Sequence, residues 1–238
     1  MRYTLWVILV LCFVSCDRYQ AQENNKRGMD YINRNLYEKA LEEFNNAISL
    51  APDFLPAYYN RAIVQANLKQ PGKALEDMNY VIANDPTNAL AFYNRGIIHE
   101  NLGKGTEAIR DYSQAINLKP DLANAYHYRG IVRFKMKDLD GALVDYDKAL
   151  SLGLQSSAIY FNKGVIYHQK DRLSDAIENY SRSIQIDPSN AKAYYYRAIS
   201  KLRVDNYNEA LQDLEVSQHL GYSKASEVIS RYYPEKKK

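Results

Sequence analysis

The chain has 238 residues, 46% hydrophobic and 25% charged, the balance of a folded protein with room for a sizeable core rather than of a disordered one. Its 31 basic and 28 acidic residues give a formal charge of +3, all of it carried by Arg2 and the run Glu235–Lys238, so the body between is neutral. Nucleic-acid binders carry a basic face, and this balance supports none.

The first sixteen residues differ in kind from the rest. Met1-Arg2 is a short positive start, Tyr3 to Val14 is an apolar run of twelve, and Ser15-Cys16 closes it. A run of that length suits a signal-peptide core better than a membrane-spanning helix, which needs about 20 residues. Phe13-Val14-Ser15-Cys16 resembles the lipobox of bacterial lipoproteins, with a small residue before the cysteine and Phe13 where leucine is usual. The resemblance implies that residues 1–16 are a leader ending in the lipobox, and that Cys16 becomes the lipid-bearing N-terminus of an exported, membrane-anchored envelope protein. An ordinary secretory signal or an uncleaved anchor are the other readings. Cys12 then leaves with the leader, so no thiol remains for a disulfide, a metal or redox chemistry. Residues 17–20 read as a short tether, with a reach of at most about 18 Å from Cys16 to the first helix.

Self-comparison of residues 21–224 gives six abutting windows of 34 residues: 21–54, 55–88, 89–122, 123–156, 157–190 and 191–224. The twentieth residue of each is Ala40, Ala74, Ala108, Ala142, Ala176 and Ala210. The eighth is Gly28, Ala62, Gly96, Gly130, Gly164 and Ala198. The twenty-fourth is Phe44, Met78, Tyr112, Tyr146, Tyr180 and Leu214. The thirty-second is proline except for Leu154 and Tyr222, which follow Gly153 and Gly221, glycines able to end a helix in the left-handed conformation. Each window holds two segments of helical period, and small residues at the eighth and twentieth places let the two helices approach closely. Asn88, Asp121 and Asn190, with Thr87 and Ser189 beside them, are candidate caps; Pro56 suits a first helical turn, and Pro71-Gly72 reads as a turn within the second window.

On these registers the sequence resembles the tetratricopeptide repeat family over residues 21–224. The resemblance implies an all-α, right-handed superhelical solenoid of six helix-turn-helix hairpins. Residues 225–234 continue as an amphipathic capping helix with Val228, Ile229 and Tyr232 apolar, followed by a basic tail at 235–238.

Fragments that imitate catalytic motifs fail on context. Gly103-Lys104-Gly105 follows a helix and occupies the turn of the third window, where a phosphate loop needs strand–turn–helix. His99-Glu100 opens like a zinc-protease helix, but Gly103 stands where the second ligand is needed. No catalytic constellation, metal site or cofactor site is expected.

By family geometry the first helix of each window lines a concave groove. The fifth place reads Asn25, Tyr59, Tyr93, His127, Phe161 and Tyr195, and the sixth reads Lys26, Asn60, Asn94, Tyr128, Asn162 and Tyr196. The rings would form a stripe of large contact area, and the asparagines could hold peptide groups of a bound chain. The other reading is that the tyrosines pack between hairpins. The clamp of the family's chaperone-tail adaptors is matched only at Asn60: its places hold Asn25, Met29, Asn60, Leu90 and Asn94. The seventh place is Arg27, Arg61, Arg95, Arg129, Lys163 and Arg197, and the twenty-third is Glu43, Asp77, Asp111, Asp145, Asn179 and Asp213. The window that loses arginine also loses its carboxylate, which predicts a structural ion pair repeated along the chain. The expected function is that of a non-enzymatic scaffold holding a segment of another polypeptide, an envelope protein. A carrier for a small ligand or glycan, or self-association, are the alternatives.

Overall fold

The computed structural model describes residues 2–234, with side chains from Cys16 onward. The leader's side chains, including the first three residues of the lipobox-like run, and the tail 235–238 lie outside the described residues. The described residues form thirteen α-helices: α1 (Arg2–Asn33), α2 (Tyr37–Leu50), α3 (Leu55–Asn67), α4 (Pro71–Asn84), α5 (Ala89–Asn101), α6 (Gly105–Leu118), α7 (Ala123–Lys135), α8 (Leu139–Ser151), α9 (Ser157–Gln169), α10 (Leu173–Ile186), α11 (Ala191–Leu202), α12 (Tyr207–His219) and α13 (Lys224–Tyr232). No helix among the described residues is long and apolar enough to cross a membrane.

The helices divide into two compact units, Met1–Val132 and Arg133–Lys238. In the first, α1 packs on α2, α3 on α4 and α5 on α6, with α2 against α3 and α4 against α5. In the second, α9 packs on α10 and α11 on α12, α8 and α10 rest on the next hairpin, and α13 packs on α12. Residues 17–20 lie within α1 rather than forming an extended tether, and Arg18 pairs with Asp53 in the loop before α3 at 2.8 Å.

The six repeated alanines are fully buried. The glycines at the eighth place explain their partners at the twenty-fourth. A Cβ on Gly96 would stand 2.7 Å from Tyr112 Cε1, and one on Gly164 would stand 2.6 Å from Tyr180 Cδ1. Where the facing residue is instead the flexible Met78 or Leu214, alanine replaces glycine as Ala62 and Ala198, and each pair shares a core cluster.

Within every window the turn pivots on the fifteenth residue, which takes a positive φ in Asn35, Lys69, Gly103, Lys137, Asp171 and Asp205. In α3 this is a Schellman end: Lys69 N–H donates to Ala66 O at 3.1 Å and Gln70 N–H to Gln65 O at 2.8 Å. The turn of the second window is therefore 68–70. Pro71-Gly72 begins α4, where a missing amide hydrogen bond costs nothing. Gly153 and Gly221 take φ of 88° and 89°, the left-handed ends that their sequence positions suggest. Asn88 and Asn190 cap α5 and α11, each accepting at 3.1 Å, whereas Thr87 and Ser189 donate to Asp85 and Asp187.

The expected ion pair forms inside the hairpins. Arg61 grips Asp77 with two bonds of 2.7 Å, Arg95 grips Asp111 at 2.9 and 2.6 Å, and Arg197 grips Asp213 at 2.8 and 2.5 Å. Each guanidinium also reaches back to the preceding second helix: Arg61 to Asn45 at 2.7 Å, Arg95 to Asn79 at 2.8 Å, Arg197 to Ser181 at 3.0 Å. The planar fork has donors in both directions, so one residue fixes the spacing of three helices.

At the C-terminal end, α13 buries Ala225 and Ile229 against α12. Tyr232, expected on the apolar face, is exposed. Tyr233 is the buried ring instead, because its hydroxyl donates to Tyr207 O at 2.5 Å and so seals the end of the α11–α12 hairpin.

Candidate binding face of the first helices

In the first unit the residues at the fifth and sixth places are drawn together by hydrogen bonds between successive hairpins. Asn60 is buried and its Nδ2 donates to Asn25 Oδ1 at 2.9 Å. One repeat later Asn94 Nδ2 donates to the Tyr59 hydroxyl at 2.6 Å, and also to Leu90 O at 3.0 Å within its own helix. Asn94 therefore commits both amide hydrogens within the protein and Asn60 one of its two, which leaves less for a bound chain than their residue types suggest.

The rings are half-buried rather than a free-standing stripe. Tyr93 packs on Tyr112 and Tyr128 with centroids 6.0 and 5.9 Å apart. Burial pushes the Tyr93 hydroxyl up to about 12, and His127, 5.4 Å from Tyr128, is held below its usual range by burial. The second unit repeats the triad with Phe161, Tyr180 and Tyr196, at 5.8, 5.7 and 6.2 Å. Tyr195 sits edge-on to Tyr196 and Tyr222, and Asn162 Nδ2 donates to the Tyr146 hydroxyl at 3.2 Å. The physical reason is area: a tyrosine face left in water forgoes the packing that the large ring at the twenty-fourth place provides.

Two recesses open on this face of the first unit, one on each side of the Tyr59–Asn94 bond. The first, ≈ 370 Å³, lies at the start of α3 and α5 and includes Leu55, Pro56, Tyr59 and Leu90. The second, ≈ 180 Å³, is bounded by Ile63, Ala66, Ile97, Ile98, Asn67 and Asn101. Tyr59 and Asn94 stand out in the sequence by residue type, and these aliphatic walls do not. Their signal is at the twelfth place, which reads Ile32, Ala66, Glu100, Phe134, His168 and Leu202: only the second window is small there, and the recess opens at Ala66. The walls are nearly chargeless. Asp85, the one charged group among them, already accepts from Thr87. Met29 and Leu90, at two of the clamp places, are exposed and apolar. Among the described residues no group of three or more His, Cys, Asp or Glu could hold a metal ion.

The sequence matches the family model described as TPR repeat over residues 101–137 and 166–203, and the one described as tetratricopeptide repeat over 25–89. The chain belongs to the tetratricopeptide repeat family. Its fold is similar to that of pilF from Pseudomonas aeruginosa, at 19% identity and a TM-score of 0.74, covering 92% of this chain and 94% of that one. It is also similar to the C-terminal part of a TPR repeat-containing protein from Cytophaga hutchinsonii, at 18% identity and a TM-score of 0.74 over 89% and 88% of the two chains. YrrB, described as a TPR protein with an unusual peptide-binding site, aligns at 20% identity and a TM-score of 0.66 over 75% and 92%. No functionally curated protein matches the sequence. Members of this repeat family generally act as non-catalytic protein–protein interaction scaffolds.

Proposed function

We propose that this chain is a non-enzymatic scaffold of the bacterial cell envelope that holds a segment of another polypeptide on the first-helix face of residues 21–132. The observation that carries the reading is the pair of largely apolar recesses flanking the Tyr59–Asn94 bond, with Asp85 their one charged group. Aliphatic side chains of a partner gain by entering such walls, while a charged one would lose its hydration without compensation. Asn67 and Asn101, exposed and one repeat apart beside the second recess, offer amides to the partner's backbone. The peptide-binding site in the description of YrrB is in keeping with this use of the fold.

Export rests on the leader and its lipobox-like end. With 17–20 helical, lipid on Cys16 would stand about 8 Å along the helix axis from the first buried residue, Ala21, instead of at the end of a loose tether. Such an anchor would hold the first hairpin close to the membrane surface. Loss of lipid label and of membrane association in Cys16→Ala tests the anchor. For the face, Ala66→Phe fills the recess with the residue that Phe134 supplies at the same place two windows on. A partner recovered from solubilised envelope with the wild-type chain should be lost with the Ala66→Phe chain at unchanged melting temperature. Retention of every partner would refute the face.

A further inference from the structure

Away from that face, the aspartates at the twenty-third place reveal a gap. Four windows carry one, and in three of them a basic residue at the eleventh place of the same window covers it. His99 Nε2 lies 3.7 Å from Asp111, Arg133 Nη1 2.8 Å from Asp145, and Lys201 Nζ 2.9 Å from Asp213. In the remaining one, the second window, the eleventh residue is Gln65, beside Asp77. Gln65 is 7% exposed, and its Oε1 is buried without a hydrogen-bond partner. A cavity of ≈ 310 Å³ opens there, walled by Gln65, Asp77, Arg61, Asn45, Glu76 and Lys73 among others. Three of the five N–H donors of Arg61 are already committed to Asp77 and Asn45.

The last hairpin shows what is different. There Lys201 bridges Asp213 and Glu209, the latter at 3.0 Å from the nineteenth place. In the second window the inner cation is missing, and the nineteenth place holds the exposed Lys73 instead of a carboxylate. A guest that completes the second window must therefore bring a positive donor inward and a negative group outward. We propose that the cavity beside Gln65 binds a small α-amino-acid zwitterion. Its ammonium sits where the Lys201 ammonium sits in the last hairpin, facing Asp77 and Glu76, and the Gln65 amide turns its Oε1 from the core to accept from it. Its carboxylate pairs with Lys73. The compact ammonium has three donors to share among acceptors on different helices, and a buried amide oxygen gains a partner that it otherwise lacks.

The experiment is a calorimetric and NMR titration of the full chain with L-alanine, and separately with its two halves, ethylammonium and propionate. The expected result is saturable alanine binding, about tenfold or more tighter than either half. Gln65→Lys installs the cation of the last hairpin and should abolish it. Lys73→Glu, at an exposed position that leaves the fold intact, should weaken alanine about tenfold while improving ethylammonium. Absence of saturable alanine binding, binding no tighter than that of the halves, or tighter alanine binding by Lys73→Ala (the sign that Lys73 itself fills the cavity) would each overturn the proposal.

Discussion

Hairpins α5–α6 and α9–α10 solve the same packing problem with the same apolar parts and different ionic ones. Both press a helical glycine, Gly96 or Gly164, on a fully buried tyrosine, and both build a triad of rings on it. In α5 the fork of Arg95 holds Asp111 ahead and Asn79 behind. In α9 the same place is Lys163, whose single ammonium turns only backward, to Asp147 at 2.5 Å, while Asn179 closes on its own helix through Asp175 O at 2.8 Å. The carboxylate has moved from the twenty-third place of one window to the twenty-fifth of the window before. Charge balance is kept, but the grip within the hairpin is lost. A guanidinium can staple three helices and an ammonium two, so arginine-to-lysine exchange is conservative in charge and not in architecture.

The largest expected effect separates these two staples. The Asp111 side chain is 4% exposed and that of Asp147 is 58% exposed. Arg95→Leu leaves a buried carboxylate without its fork and should cost about 3–5 kcal/mol in urea unfolding. Lys163→Leu, breaking a pair with one end in water, should cost no more than about 1 kcal/mol. Equal losses would remove the distinction. Next comes the apolar part that the two hairpins share. Gly96→Ala and Gly164→Ala should each cost about 1–3 kcal/mol, since a rigid ring has no room to yield. Adding Tyr112→Met to Gly96→Ala recreates the Ala62–Met78 pair and should return part of the loss; strictly additive costs would contradict the close approach. A smaller gain of about 1 kcal/mol is expected from Lys163→Arg combined with Asn179→Asp, which restores the fork to α9.

The smallest effect is on pH. His99, His127 and His168 are all held below their usual range, first of all by burial, and His168 shares a 2.9 Å hydrogen bond with Ser200. The unfolded chain then takes up these protons first. Stability should be full at neutral pH and decline as pH falls through about 6.5. His168→Gln should flatten part of that slope in melting temperature between neutral and mildly acidic buffer, and an unchanged slope would remove His168 from the account.

Much of the fold is legible in the sequence because a 34-residue period repeats each constraint six times. The buried alanines and the arginine–aspartate pairs show as columns, and packing follows columns. The turn pivots are only partly legible: Gly103 announces a positive φ, Asn35, Asp171 and Asp205 are of types that tolerate it, and Lys69 and Lys137 take it with a side chain that gives no sign. The candidate face is half legible. Tyr59 and Asn94 stand out as types, but whether a ring faces a guest or a neighbour depends on the size of the residue opposite it, and the recess depends on Ala66 being small among larger peers. At the cap the buried ring is Tyr233 rather than Tyr232, since a tyrosine's place there is decided by a carbonyl, that of Tyr207, far along the chain.

The central claim is that a polypeptide lies on the first-helix face of the first unit. A photo-crosslinking residue placed in turn at Asn67, at Asn101 and at the exposed Val144 of α8, in cells making the full chain, tests it most directly. The account predicts the same polypeptide adduct from Asn67 and Asn101, none from Val144, and loss of both adducts when Ala66→Phe is added. Adducts that form equally from Val144, or that survive Ala66→Phe, would contradict it.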